Sequence, residues 1–215
     1  MLIPQLMMLD SFFPHNFIFC FLIESGIMKS KNFKLIILNL IIVFFIIWSG
    51  CITTQEKSEQ SFNPTFGNTY HLSNISIVDG DTFQAENEYS KEITIRILGI
   101  DTPELNPDDN IVYEYGSITN LSCLSQFATN AKDKLSSILL SDFCYVKFDI
   151  NSGIKDQYDR YLCYVFNETM YDVGKILLES GLARVYTFES FDKKNDYLQI
   201  EKSVIDNQTG LWGCE

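Results

Sequence analysis

Histidine is nearly missing from this 215-residue chain: there are two, His15 in an apolar stretch and His71. A Ser-His-Asp triad, a histidine-rich metal site or a histidine acid/base pair therefore has almost no material. Arginine is scarce too, with Arg96, Arg160 and Arg184 set against thirteen lysines. A chain that favours lysine invites the question of what its arginines do, because a guanidinium binds phosphate or carboxylate bidentately and an ammonium does not. Positive charge is short overall: 16 basic residues face 28 acidic ones, a formal net charge of −12. That balance excludes a diffuse electrostatic grip on DNA, which needs many cations to neutralise many phosphates. Any nucleic-acid chemistry must come from a local device, with carboxylates and arginines carrying acid/base and charge-stabilising work. There is no Cys-x-x-Cys pair either, which argues against zinc.

Charge of either sign is sparse at the N-terminus, where residues 1–50 hold only Asp10, Glu24, Lys29, Lys31 and Lys34. From Met28, three lysines precede an apolar run from Leu35 to Trp48 broken only by Asn39, and Ser49 and Gly50 then precede Cys51. Basic, apolar and small-residue regions in that order are those of an export signal over 28–51. Its Ser-Gly-Cys end resembles a lipoprotein processing site with Cys51 as the lipidated residue, although Trp48 stands where a small aliphatic is usual. Left uncleaved, the 21 uncharged residues from Leu35 to Gln55 make a helix of about 31 Å, enough to span a bilayer. Either route places the remainder at the outer face of the membrane, tethered or secreted. Residues 1–27 read either as translation upstream of a start at Met28 or as a second apolar segment. Residues 52–70 are polar without periodicity and read as a linker, leaving 71–215 as the domain. In an oxidising setting Cys123, Cys144, Cys163 and Cys214 allow one or two disulfides; Cys163, inside an apolar strand, also reads as a buried thiol.

Within the domain, Asp79-Gly80 separates two short β-like runs at 72–78 and 81–86, a hairpin signal. Residues 92–100 alternate, with Ile93, Ile95 and Ile97 on one face and Thr94, Arg96 and Leu98 on the other, and the strand ends where Pro103 forbids simple continuation. Apolar residues at helical spacing predict helices near 122–140, 171–180 and 192–208, and further strands fall near 143–149, 160–166 and 182–188. Strands first, then helices interleaved with more strands, argue for an α+β fold with a small barrel.

Four short strings carry the chemistry: Val78-Asp-Gly-Asp-Thr82, Arg96-Ile-Leu-Gly-Ile-Asp-Thr-Pro-Glu104, Asp156-Gln-Tyr-Asp-Arg-Tyr-Leu162 and Gly181-Leu-Ala183. In this order, with a terminal Gly-Leu-Trp212, the chain resembles the staphylococcal nuclease (thermonuclease) family over about residues 72–213. The resemblance implies a five-stranded OB-fold barrel with three helices. It also implies calcium-dependent hydrolysis of DNA and RNA to 3′-phosphorylated products. Carried over, the calcium ligands would be Asp81, Asp101 and the carbonyl of Thr102. Glu104 would hold the attacking water, Arg96 and Arg160 would clamp the scissile phosphate, and Tyr158 would contact substrate. No protein partner is implied, and a monomer is expected.

These residue types suit that chemistry on their own terms. Calcium prefers hard oxygen ligands, and two carboxylates plus a carbonyl leave its shell open to a phosphate oxygen. A glutamate just beyond a proline-fixed bend can orient or deprotonate a water. Charge on the phosphoryl oxygens rises during attack, so prepositioned guanidiniums favour the transition state over the ground state. The chain also departs from the family pattern. Asp159 stands where glycine is usual, Thr187 and Glu189 stand where stacking tyrosines are usual, with Tyr186 or Phe188 as candidate substitutes, and the loop 105–119 is acidic. Asp79 reads as a turn residue and Arg184 as structural. The alternatives are a catalytically silent barrel that binds nucleic acid or protein, and an acidic calcium-binding surface module.

Overall fold

The computed structural model describes residues 61–214, together with Leu38, Asn39, Ile41 and Ile42, which are helical and exposed. The expectations for residues 1–27, for the export segment at 28–51 and for Cys51 lie outside the described residues, apart from those four. Among the described residues no helix is long and apolar enough to cross a membrane.

Five strands close a barrel in the order β1 (Thr69–Ile77), β2 (Thr82–Glu86), β3 (Glu92–Ile97), β6 (Tyr161–Phe166) and β5 (Phe143–Lys147). All neighbours are antiparallel except β3 and β6, which run parallel. The alternation read in the sequence is the barrel wall itself: Ile93, Ile95 and Ile97 are buried inside, while Thr94 and Arg96 face outward; Leu98, expected on the outer face, lies just past the strand end and is buried in the core. Three helices complete the expected α+β OB-type domain. α1 (Leu121–Ile138) is capped by the Asn120 side chain and buries Leu124, Ala128, Ala131 and Leu135 at three- and four-residue spacing. α2 (Val173–Glu179) is capped by Asp172, and α3 (Lys194–Asp206) buries Tyr197 and Val204.

Several expected boundaries move, each for a local reason. The strand predicted over 92–100 breaks at Gly99, whose φ of +81° turns the chain and whose missing Cβ makes room for the Phe191 ring, only 2.6 Å from where that atom would stand. Beyond it, Ile100–Asp101 (β4) leaves the barrel and pairs with Arg184–Val185 (β7), so the strand predicted over 182–188 shrinks to two residues. The stretch read as linker contributes to the core: Phe62 is buried, with its ring 5.3 Å from those of Tyr70 and Tyr161, and β1 begins at Thr69. Of the two possible disulfides, one forms, joining Cys123 to Cys214. Cys144 and Cys163 are free thiols buried in the barrel, and burial pushes the Cys144 thiol up to about 12. The disulfide borders a small second core of Tyr115, Ile118, Leu124, Leu211 and Cys214.

Candidate active site

The site is built at the end of the barrel where β2 begins and β3 ends. Asp79 starts it as a turn residue: its Oδ1 accepts from the backbone N–H groups of Asp81 and Thr82 at 3.0 and 2.7 Å. This fixes Asp81, buried immediately before β2. The Asp81 carboxylate is held on both oxygens. Oδ2 accepts from the Thr102 backbone N–H at 2.8 Å and from its hydroxyl at 3.1 Å, while Oδ1 accepts from the Thr82 hydroxyl at 3.0 Å and pairs with Nη1 of Arg96. Arg96 stands opposite Thr82 in the β2–β3 register, and its Nη2 donates to Oδ1 of Asp101 at 2.6 Å. One guanidinium thus bridges two carboxylates brought from separate strands.

The other oxygen of Asp101 is held by Arg184, with Nε at 3.0 Å and Nη2 at 2.8 Å. That same Nη2 reaches Oε1 of Glu114 at 2.8 Å, and the guanidinium lies 5.3 Å from the Tyr115 ring and 5.8 Å from that of Tyr186. Arg184 is buried, directly opposite Asp101 in the β4–β7 ribbon.

Glu104 follows the Pro103 bend. Buried Asn110 clamps its backbone, accepting from the Glu104 N–H and donating to its carbonyl, both at 2.8 Å. Partial desolvation, then the charges of Asp79 and Asp101, push the Glu104 carboxyl above the usual glutamate range. Beside this cluster, Arg160 donates through Nε to Asp156 at 2.7 Å and through its backbone N–H at 3.0 Å, and Nη1 lies 3.4 Å from the Thr82 hydroxyl. Nη2 of Arg160 makes no hydrogen bond among the described residues. Hydrogen bonds from Arg160 and from nearby backbone N–H groups outweigh burial and hold Asp156 below the usual carboxylate range. Asp159 adopts the left-handed conformation expected of it, with φ 65°. Its charge goes to Lys155 at 2.7 Å.

These groups line one cavity of about 690 Å³. Seven carboxylates face it, from Asp79, Asp81, Asp101, Glu104, Glu114, Asp156 and Glu189, against three cations from Arg96, Lys155 and Arg160. A phosphodiester entering so acidic a space is repelled unless further positive charge accompanies it. Two carboxylates already converging on one cationic group are a fitting start for a hard-cation site. Among the described residues no group of three or more His, Cys, Asp or Glu side chains could hold a metal ion, so carbonyl and water oxygens would have to complete such a shell.

Of the residues singled out in the sequence, Asp81, Thr102, Arg96 and Asp101 are directly bonded to one another, and Glu104, Tyr158 and Arg160 line the same cavity. Tyr186 lines it too, whereas Phe188 is exposed beside it, ring to ring at 5.5 Å. Glu114, Asn110 and Asp156 are positioning groups that the sequence does not single out, whereas Arg184, expected to be structural, is a buried group that holds Asp101 and Glu114 in place. Asp156 sat four residues before Arg160 in the same string, and Arg184 was one of only three arginines; for Asn110 there was no signal.

A model of the family described as staphylococcal nuclease homologue matches residues 94–214, more than half of the chain. The chain belongs to the staphylococcal nuclease family. The match begins inside β3, so this homologue's Asp79–Asp81 turn lies upstream of it and is placed by the barrel register. An uncharacterized protein of Methanocaldococcus jannaschii is 31% identical over 201 residues, covering 83% of this chain and 94% of the relative. Endonuclease YncB of Bacillus subtilis is 26% identical over 163 residues, covering 74% and 70%. Thermonuclease of Staphylococcus intermedius is 26% identical over 187 residues, covering 86% and 99%.

Proposed function

We propose that this staphylococcal nuclease homologue is a calcium-dependent extracellular nuclease that hydrolyses phosphodiester bonds of DNA and RNA to 3′-phosphorylated products. Its N-terminal segment would hold it at the outer face of the membrane, through a transmembrane helix or a lipid on Cys51. The observation that carries the reading is the convergence of Asp81, Asp101 and Arg96 with Glu104 and Arg160 on one cavity.

Asp81, Asp101 and the Thr102 carbonyl would hold the calcium, which when bound supplies positive charge against the phosphoryl oxygens and offsets the acidic wall. Arg160, anchored through Nε by Asp156, presents its remaining N–H groups to the scissile phosphate. Arg96, where Asp81 and Asp101 turn to the cation and release it, would add a second guanidinium beside Arg160. Their hydrogen bonds strengthen as negative charge builds during attack, which is the condition for lowering a barrier. Glu104 accepts a proton from the attacking water, and its raised pKa makes it a better base than an ordinary carboxylate. Asn110 fixes the backbone from which that carboxylate extends.

The test is cleavage of a single-stranded oligonucleotide by the full chain with calcium or with chelator. Cleavage should require calcium; Arg96→Ala and Arg160→Ala should each lower kcat by about 10²–10³-fold, the typical loss for one transition-state hydrogen-bond donor, and Glu104→Gln by about 10²–10⁴-fold, the typical loss for a general base. Binding without cleavage would favour the silent barrel instead. Neither binding nor cleavage would leave the acidic calcium module.

A further inference from the structure

A second cavity of about 710 Å³ adjoins the first, and Lys155 and Tyr158 belong to the walls of both. Its electrostatics differ from those of its neighbour. Lys91 and Lys155 balance Glu92 and Asp159, so a phosphate meets no net negative wall there. Its floor is aromatic: the Tyr161 hydroxyl donates to the Phe62 carbonyl at 2.9 Å, and the two rings lie 5.3 Å apart. Lys155 crosses this floor with Nζ 4.3 Å from the Tyr161 ring centroid. At the partition Tyr158 is 71% exposed, with the Arg160 guanidinium 5.4 Å from its ring centroid and the rest of the ring open.

We propose that this second cavity is a nucleotide subsite, taking the nucleotide that lies one diester beyond the scissile one on a single strand, with that further phosphate at Lys155 and its base against Tyr158. The assignment rests on the nuclease reading for the identity of the strand in the first cavity. A polymer cut in that cavity must leave it, and the space sharing two of its wall residues is the adjacent one where phosphate is not repelled. Lys155 is available for the exchange. Its partner Asp159 is a solvent-exposed carboxylate, and an exposed ion pair holds a lysine only weakly, so a substrate phosphate can replace it. The exposed tyrosine supplies the sequence-tolerant stacking that single-strand binders combine with cations along the backbone.

The test compares a thymidine dinucleotide with a tetranucleotide, in calcium, on the full chain. Binding is read by fluorescence anisotropy in a Glu104→Gln background and cleavage by kcat/KM with Glu104 intact. Two substitutions probe the second cavity: Lys155→Ala removes its charge, and Thr94→Trp fills it from the outer face of β3. The tetranucleotide should bind about tenfold more tightly than the dinucleotide, and both substitutions should bring that ratio close to one. Should Thr94→Trp fail to fold, as a circular dichroism melt would reveal, Lys155→Ala, which trims a side chain 33% exposed and leaves every strand pairing in place, decides the matter alone. Equal affinity for the two lengths, or a ratio that Lys155→Ala leaves unchanged, overturns the subsite. Cleavage without length dependence overturns the subsite and keeps the nuclease reading. Length-dependent binding that the substitutions abolish, with no cleavage, keeps the subsite and overturns the hydrolase.

Discussion

Glu104 is the residue whose protonation the proposed chemistry depends on. Desolvation first, and Asp79 and Asp101 after it, favour the protonated form and move its titration above the usual carboxylate range. The base is active only when ionised, so kcat/KM should rise with pH through that titration. Asp79→Asn removes one of the opposing charges while its amide oxygen can still cap the Asp81–Thr82 turn. It should shift the acid limb of the pH–rate profile to lower pH; an unmoved limb would detach the profile from Glu104. Legibility at this scale followed chain proximity. Asp81, Arg96 and Asp101 stood in short strings whose residue types suggested their roles. Arg184 orients Asp101 only through the β4–β7 register, and Asn110 serves Glu104 across a loop, and neither relation is written in local sequence.

The elements are held around the site by two devices. Gly181, with φ +62°, lets the end of α2 meet the C-terminal turn: its carbonyl accepts from Leu211 N–H at 2.8 Å, and an added Cβ would lie 2.3 Å from the Thr209 carbonyl. The Cys123–Cys214 disulfide, joining residues 91 apart, then staples that turn to the start of α1. Closing a loop of this length should stabilise the fold by up to about 4–5 kcal/mol through the entropy of the unfolded chain. Urea unfolding of Cys123→Ser should therefore give a lower midpoint than the oxidised parent, and reductant should change the parent but not the variant. A midpoint indifferent to both would show that the second core holds without its staple. Helix positions and β3 were legible because their apolar periods are clean. The end of β3 was not, because it depends on Gly99 yielding to the distant Phe191, and neither was the early start of the domain, because Phe62 lies in a polar stretch with no apolar period to mark it.

Across the whole molecule, acid outnumbers base, and the few cations near the cleft are placed individually. Contact with two or three phosphates predicts a shallow salt dependence, a slope of roughly −1.5 to −2 for log kcat/KM against log salt at fixed calcium on single strands. A slope of the size basic binders give would mean that a larger cationic surface takes part. Element order argues for a small barrel, but the parallel β3–β6 pairing that closes it joins strands far apart in the chain and is not written in any local period; family resemblance supplied the five-stranded form. The central claim is that Asp81 and Asp101 share one cation that the reaction needs. The most direct measurement is the rate of oligonucleotide cleavage by the full chain as calcium is titrated, for the parent, Asp81→Asn and Asp101→Asn. A saturable calcium requirement that moves to higher concentration in both variants is the predicted result, and cleavage indifferent to calcium, or a midpoint unchanged in both, would contradict it.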